Sequence, residues 1–328
     1  MRQEIPAPPL AHRIDGKHAW SKTSLRDEDW LFTLDAACLD ELRAVVSDLR
    51  ANPLPLLVLA TDMFELNACR ALAARMRVAL TAGVSFALLD RIPLDEITLD
   101  EAKSLYWIFS SLLARPVAQK LDGTMIYDVH DTGMQARPGS GIRPDKTNVD
   151  LTFHNDNAYN RTMPEVVGLF CLRQAKSGGL SRMISFQTAH NCLLEDYPGL
   201  LPRFYQPFHF DRQKEFFPGE TPIFSAPMFE FDGRLRARLA PYQVKNGYAM
   251  LGQEIDAPTA AAIAALDEVF ARDELVAEHY MQPGQIQYVN NREIGHSRTG
   301  FVDFEEPERR RYLVRLWLRN SGHRGYRG

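Results

Sequence analysis

Asn148-Val-Asp-Leu-Thr-Phe-His-Asn-Asp156 is the stretch on which the reading of this chain turns. Val149, Leu151 and Phe153 alternate with Asp150, Thr152, His154 and Asp156. A strand here carries its apolar residues on one face and His154 with Asp156 on the other. Two metal-ligating side chains at i and i+2 on a strand end form two corners of a facial triad. One further histidine completes a two-His, one-carboxylate site with open positions on iron(II). A bare His-x-Asp is equally the pattern of a surface hydrogen-bonded pair, and the chain holds two competitors. His209-Phe-Asp211 sits between Phe208 and Phe210 with the same alternation, and Asp128-Val-His130 has the reverse order. Periodicity alone does not choose among the three.

The C-terminal part supplies context. Gln285-Ile-Gln-Tyr-Val-Asn-Asn-Arg-Glu-Ile-Gly-His296 reads as a strand ending in a turn that brings up a histidine. Beyond it, Arg309-Arg-Arg-Tyr-Leu-Val-Arg-Leu-Trp-Leu318 alternates again. Tyr312, Val314, Leu316 and Leu318 form one apolar face. Arg311, Leu313, Arg315 and Trp317 form the other, which points two guanidiniums into a core or cavity. A buried guanidinium is costly unless a carboxylate meets it, and its fork matches a carboxylate at two points. A bound dicarboxylate is a suitable partner. The alternative is a basic edge strand that deters aggregation; Arg309 and Arg310 fit that description better than Arg311 and Arg315 do.

Composition bounds the class. The chain has 328 residues, 38 basic against 42 acidic, for a net charge of −4, with 45% hydrophobic and 24% charged residues. Such a chain buries a large core, which excludes a disordered or fibrous protein. The near-neutral charge gives no bulk reason to expect nucleic acid or an anionic membrane as partner. Pro53–Ala60 is the longest dense apolar run, far short of the roughly 20 residues of a membrane helix. Met1-Arg-Gln-Glu-Ile-Pro lacks the basic-then-apolar order of a signal peptide, and Cys38, Cys69, Cys171 and Cys192 form no Cys-x-x-Cys pair. A cytoplasmic protein is expected. Gly178-Gly179 is too short for a phosphate loop, so dinucleotide and ATP chemistry are not expected.

Leu34 to Arg50 reads as a helix, stopped by Asn52-Pro-Leu-Pro. Leu54–Ala60 reads as a short strand, Asp62 to about Leu80 as a second helix, Val84–Leu89 as a strand, and Leu99–Leu121 as a third helix broken near Pro116. From about Gly123 the texture changes to short alternating runs between Gly, Pro, Asn and Asp clusters. The best strands are Met125–His130, Asn148–His154, Val166–Arg173, Arg182–Phe186, Phe224–Phe229, Gln285–Asn290 and Tyr312–Leu318, with one helix, Ala257 to Arg272, among them. This pattern predicts an α+β protein with a β-sandwich or barrel core. Residues 1–122 are expected to pack as a helical and strand segment on a core of residues 123–328, the whole forming one continuous domain.

Taken together, these motifs resemble the Fe(II)- and 2-oxoglutarate-dependent oxygenases of the taurine dioxygenase type, including clavaminate-synthase-like amino-acid hydroxylases. The family's metal His-x-Asp looks like His154-Asn-Asp156. Its following Pro, strand and Gly-Gly-x-Ser/Thr look like Pro164, Val166–Leu172 and Ser177-Gly-Gly-Leu-Ser181. Its distal segment looks like Asn291-Arg292 through His296, and its Arg-x-x-x-Arg looks like Arg311 to Arg315. The resemblance covers roughly residues 120–320 and favours His154 over His209, because only His154 precedes a Gly-Gly-x-Ser at the family's spacing. It implies a double-stranded β-helix (jelly-roll) core with flanking helices. It also implies that His154, Asp156 and His296 hold Fe(II), and that Arg311 pairs with the distal carboxylate of 2-oxoglutarate with help from Ser181. Arg315 would then contact the oxoglutarate C1 end or the substrate, with Arg310 as a competing register on the apolar face.

The implied reaction uses O2 and 2-oxoglutarate to hydroxylate an unactivated C–H bond, releasing succinate and CO2. Halogenating relatives need a small residue at the position of Asp156, so hydroxylation is favoured. The loop holding Asn157, Tyr159, Asn160 and Arg161 is expected at the pocket mouth, where its groups suit an amino acid or other small zwitterion; an ordinary turn is the alternative. Phe204–Pro218, with Arg212 as a further substrate candidate, reads either as a lid or as a connection packing its aromatics on the core. Cys171 reads as a small core residue. Two rival readings stay open on the residues: a metal enzyme on the same barrel that does not use oxoglutarate, and a non-catalytic ligand-binding β-sandwich.

Overall fold

The computed structural model describes residues 9–134 and 146–326. Eleven strands build its two principal sheets: β1 (Leu31–Thr33), β2 (Phe86–Asp90), β3 (Arg115–Val117), β4 (Ile126–Val129), β5 (Leu151–His154), β6 (Val166–Arg173), β7 (Ser181–Ser185), β8 (Val276–His279), β9 (Ile286–Asn290), β10 (Ile294–Arg298) and β11 (Tyr312–Arg319). The larger sheet runs β1-β2-β9-β6-β11-β3, with β4 also paired to β11, and the smaller runs β8-β7-β10-β5. Only β1 and β2 are parallel neighbours; the other pairs are antiparallel.

The period of two decides which side chains meet the helices and which meet the other sheet. On β11, Tyr312, Val314, Leu316 and Leu318 pack into the helix-side core with Tyr106 and Phe109. Leu313 and Trp317 turn the other way. Strand β6 divides likewise, with Phe170 and Leu172 on the helix side and Val167 and Cys171 inside. Between the sheets, Met183 and Ile294 of the smaller meet Phe86, Val289 and Trp317 of the larger. This is the expected α+β arrangement, a jelly-roll core with helices on its outer face. Gly168 is fixed by that packing: a Cβ there would lie 2.6 Å from the Tyr106 hydroxyl and 3.0 Å from the Tyr288 ring.

Three helices cover the larger sheet: α1 (Ala36–Ala51), α2 (Asn67–Ala82) and α3 (Leu99–Leu113). Asp35 caps α1 by accepting from the Cys38 amide at 2.8 Å, and Thr98 with Glu101 forms a capping box on α3. The predicted third helix is shorter than expected, because Pro116 lies on β3 at the sheet edge, where a missing N–H is tolerated. The expected strand Leu54–Ala60 does not form. Pro53 and Pro55 withdraw donors from any ladder, and the segment makes 3-10 turns at Leu56–Val58 and Thr61–Met63. Asp62 is therefore not a cap. Helix α2 starts at Asn67 instead, and Glu41 of α1 accepts from the Ala68 and Cys69 amides at 2.7 and 2.9 Å.

Among the described residues past 123, three α-helices occur where one was expected: α4 (Phe186–Asp196), α5 (Pro241–Met250) and α6 (Ala257–Phe270). Phe204, Phe208 and Phe210 are buried in a second core with α4 and α6, so the Phe204–Pro218 segment packs its aromatics inward. Residues before 123 supply β1, β2 and β3, so the N-terminal segment shares the large sheet with the rest of the chain.

Candidate active site

Strands β5 and β10 of the smaller sheet are registered so that His154 lies directly across from His296, with ring centroids 4.4 Å apart. Asp156 follows β5 by two residues. Its Oδ1 lies 3.6 Å from His154 Nε2 and 3.7 Å from His296 Nε2. These separations are beyond hydrogen bonds, so three ligand atoms stand side by side, all within 4.8 Å of one another. Asp156 and His296 are buried and His154 is half-buried.

The surroundings orient each donor. His154 Nδ1 donates to the Thr152 carbonyl at 2.9 Å, which leaves Nε2 as the lone-pair nitrogen. Asp156 Oδ2 accepts from the Trp317 indole at 2.6 Å and lies 3.2 Å from Arg315 Nη1, which leaves Oδ1 toward the histidines. The backbone is laced down by two asparagines. Asn291 accepts from the Asp156 amide at 2.9 Å and donates to its carbonyl at 2.9 Å. Asn155 donates to the Asn291 and Ile294 carbonyls at 2.7 and 3.0 Å. Burial opposes ionisation of Asp156, but Arg315 and the two histidines outweigh it and hold the carboxyl well below the usual carboxylate range. Burial, with His154 beside it, lowers the His296 imidazole and keeps it neutral. One carboxylate and two imidazoles are the donor set that suits iron(II) with open positions. The residues fit the metal.

A cavity of about 70 Å3 opens from this cluster between the sheets, bordered by His154, Asp156, His296, Ser181, Arg311 and Arg315. Ser181 donates to Gln287 Oε1 of the opposite sheet at 2.6 Å. Arg311 is buried, its guanidinium lies over the Phe301 ring at 5.0 Å, and its Nη1 has no partner among the described residues. Gly179 allows this approach. Its φ is +75°, and a Cβ there would meet Arg311 Nε at 3.3 Å. Arg310 is outside and exposed, donating to the Phe304 and Glu305 carbonyls at 3.3 and 3.0 Å. Arg315 is already engaged, with Asp156 and with Gln119 Oε1 at 2.9 Å.

A larger cleft of about 580 Å3 opens on the other side of His154 and Asp156. Asn157 and Tyr159 line it; Asn160, Arg161 and Arg212 do not. Asn160 is buried between Asn157, the Tyr326 hydroxyl and Arg212 at 3.0, 2.6 and 2.7 Å. Arg212 is fully buried, paired with Glu220 at 2.9 Å, and Arg161 is exposed with Glu220 at 3.9 Å. These three residues brace the loop behind the cleft.

The competitors are elsewhere. His209 lies on a hairpin of Pro207–Asp211 with Ile223–Pro227, facing Ser225 at 2.8 Å, and Asp128 accepts from the Tyr312 hydroxyl at 2.8 Å. Burial pushes the Cys171 thiol up to about 12, and it donates to the Met281 carbonyl, as a core residue does. Sequence reasoning missed Trp317, Gln119 and Tyr326. Trp317 was legible in part, since the alternation already set it on the face of Arg315; its strand neighbours were not.

Residues 52–317 match the family described as taurine catabolism dioxygenase TauD, TfdA family. FR-33289 synthase of Streptomyces rubellomurinus is 27% identical over 317 residues, covering 94% of this chain and 91% of that one. Asparagine oxygenase, solved with Fe(II), 2S,3S-3-hydroxyasparagine and succinate, superposes with a TM-score of 0.63 at 20% identity over 88% of this chain and 93% of its own. The non-heme iron oxygenase OrfP, solved with Fe, succinate and (3S)-hydroxy-L-Arg, gives 0.62 at 15% identity over 89% and 94%. Among the described residues, no helix is long and apolar enough to cross a membrane.

Proposed function

The chain belongs to the TauD, TfdA dioxygenase family, and from that premise we propose that it hydroxylates an unactivated C–H bond of an amino acid or related small carboxylate, with iron held by His154, Asp156 and His296. It is an iron(II)- and 2-oxoglutarate-dependent dioxygenase that consumes O2. With oxoglutarate and O2, the metal supplies the oxidising power that breaks the C–H bond, and succinate and CO2 leave.

The protein's part is orientation, charge and exclusion of water. In this reading Arg311 takes the distal carboxylate of oxoglutarate in the small cavity, with the Ser181 hydroxyl beside it. A buried guanidinium with a free Nη1 is a costly feature that such a carboxylate relieves. Arg315, which borders both cavities, neutralises Asp156 and faces the oxoglutarate C1 end. The substrate enters the larger cleft past Asn157 and Tyr159, while Asn160, Arg161 and Arg212 hold that loop in place. The hydroxylated amino acids held by asparagine oxygenase and OrfP support the substrate class.

The observation that carries the proposal is the meeting of His154, Asp156, His296 and Arg311, whose Nη1 has no partner among the described residues, around one cavity. The test is succinate formation from oxoglutarate by purified protein with Fe(II) and O2. Turnover should require added iron and vanish in His296→Ala while the circular dichroism spectrum stays native. Full turnover in that variant refutes the ligand set.

A further inference from the structure

Resting on the reading just given, we infer that the substrate is an acid with a hydrocarbon body, and that Lys245 of α5 selects it by meeting its anionic group across the larger cleft.

The two asparagines that flank Asp156 have little left to offer a ligand. Asn157 Nδ2 donates to the Thr162 carbonyl at 2.7 Å, and its Oδ1 accepts from Asn160 at 3.0 Å and from Tyr326 at 3.1 Å. Asn155 is bound to Leu239, Asn291 and Ile294 through both ends of its amide. These contacts occupy three of the four amide-oxygen lone pairs and three of the four amide protons of the two side chains. Arg315 is committed to Asp156 and Gln119. Much of the remaining cleft wall is hydrocarbon, from Leu151, Val244, Ile255, Ile263 and Trp317.

Lys245 stands on the same helix as Val244, at the exposed rim. Among the described residues that line the cleft, Lys245 and Arg315 are the cations, and the Lys245 ammonium has no ion pair or hydrogen bond among the described residues. Asp150, a carboxylate that also lines the cleft, accepts from the Gly300 amide. The cleft is thus polarised. An acid is drawn to the α5 side and repelled from the approach to β5, which turns its hydrocarbon body across the apolar wall beside His154 and Asp156. Charge placed this way fixes orientation and discrimination more than raw affinity.

The test uses three probes of equal length, hexanoate, hexanamide and hexylamine, and reads their stimulation of succinate formation. Hexanoate should stimulate at the lowest concentration and hexylamine least. Lys245→Gln should raise the half-saturating hexanoate concentration about fivefold, as expected for one solvent-exposed ion pair, and Lys245→Glu should raise it further. Lys245→Arg should restore it. Neither hexanamide nor hexylamine should respond to Lys245→Gln in that way. Equal stimulation by hexanoate and hexanamide, or a hexanoate response indifferent to Lys245→Glu, overturns the inference. Wild-type protein that makes no succinate with iron and oxoglutarate under any probe overturns the functional reading beneath it, so the two failures are distinguishable.

Discussion

Replacing Trp317 by phenylalanine removes one hydrogen bond from the carboxylate that completes the ligand set. The indole N–H lies 2.6 Å from Asp156 Oδ2, and both residues are buried. A hydrogen bond to a charged group contributes about 1.5–3 kcal/mol. Without it, Oδ2 keeps only Arg315 Nη1, at 3.2 Å, and the carboxylate is free to turn Oδ1 away from the histidines. If the whole loss falls on metal binding, affinity drops by about 10- to 150-fold. Loss of an outer hydrogen bond to a metal ligand elsewhere costs about 10- to 100-fold, which agrees. Phenylalanine keeps a ring against Tyr326, whose centroid lies 6.5 Å away, so the interior between the sheets stays filled. The assay is anaerobic calorimetry of Fe(II) or Co(II) binding to both proteins, with urea unfolding of each to measure the cost to the fold. Trp317→His, which retains an N–H, should recover part of the affinity. An Fe(II) dissociation constant within twofold of wild type in a folded Trp317→Phe protein refutes the idea that Trp317 positions Asp156.

Three further outcomes follow from the geometry. Arg311→Ala should raise the oxoglutarate requirement by roughly 10- to 150-fold for loss of one charged hydrogen-bonding partner, whereas Arg310→Ala, outside the cavity, should leave it unchanged; steady-state kinetics in oxoglutarate distinguish the two. His209→Ala should bind iron like wild type in the same calorimetry, because His209 faces Ser225 on a separate hairpin. Stability should fall as pH drops from about 6.5 toward 4. Burial lowers His190 and His279 to about 4, so the unfolded chain takes up protons there that the folded protein refuses. Each histidine contributes a slope of about 1.4 kcal/mol per pH unit in that window, present above it and lost below, as urea unfolding at pH 7 and pH 5 measures.

The core strands were legible because their two faces meet different surroundings. Val166–Arg173 is found with the boundaries its alternation predicts, and β11 runs from Tyr312 to Arg319, one residue longer than expected. The same alternation separated Arg311 and Arg315 from the helix side before any neighbour was known. Helices α4 and α5 were not legible, for different reasons. In α4 the buried face includes Gln187, His190 and Asn191, which blunts the apolar period, and Phe186 reads as the end of a strand. In α5, Gly247 argues against a helix, yet it is there for contact: a Cβ would lie 2.2 Å from the His209 carbonyl oxygen. For the site, ligand order along the chain was readable. The pairing of His154 with His296 across β5 and β10, and the reach of Trp317 to Asp156, depend on strand register, which no local pattern encodes.

Anaerobic titration with Fe(II) and 2-oxoglutarate, followed in the visible region, tests the central claim without knowledge of the substrate. Chelated oxoglutarate gives a weak charge-transfer band. The band should appear in wild type, be lost in His154→Ala, and need much more oxoglutarate in Arg311→Ala. Iron binding without the band would contradict the account of the small cavity, and a band that survives His154→Ala would contradict the ligand set itself.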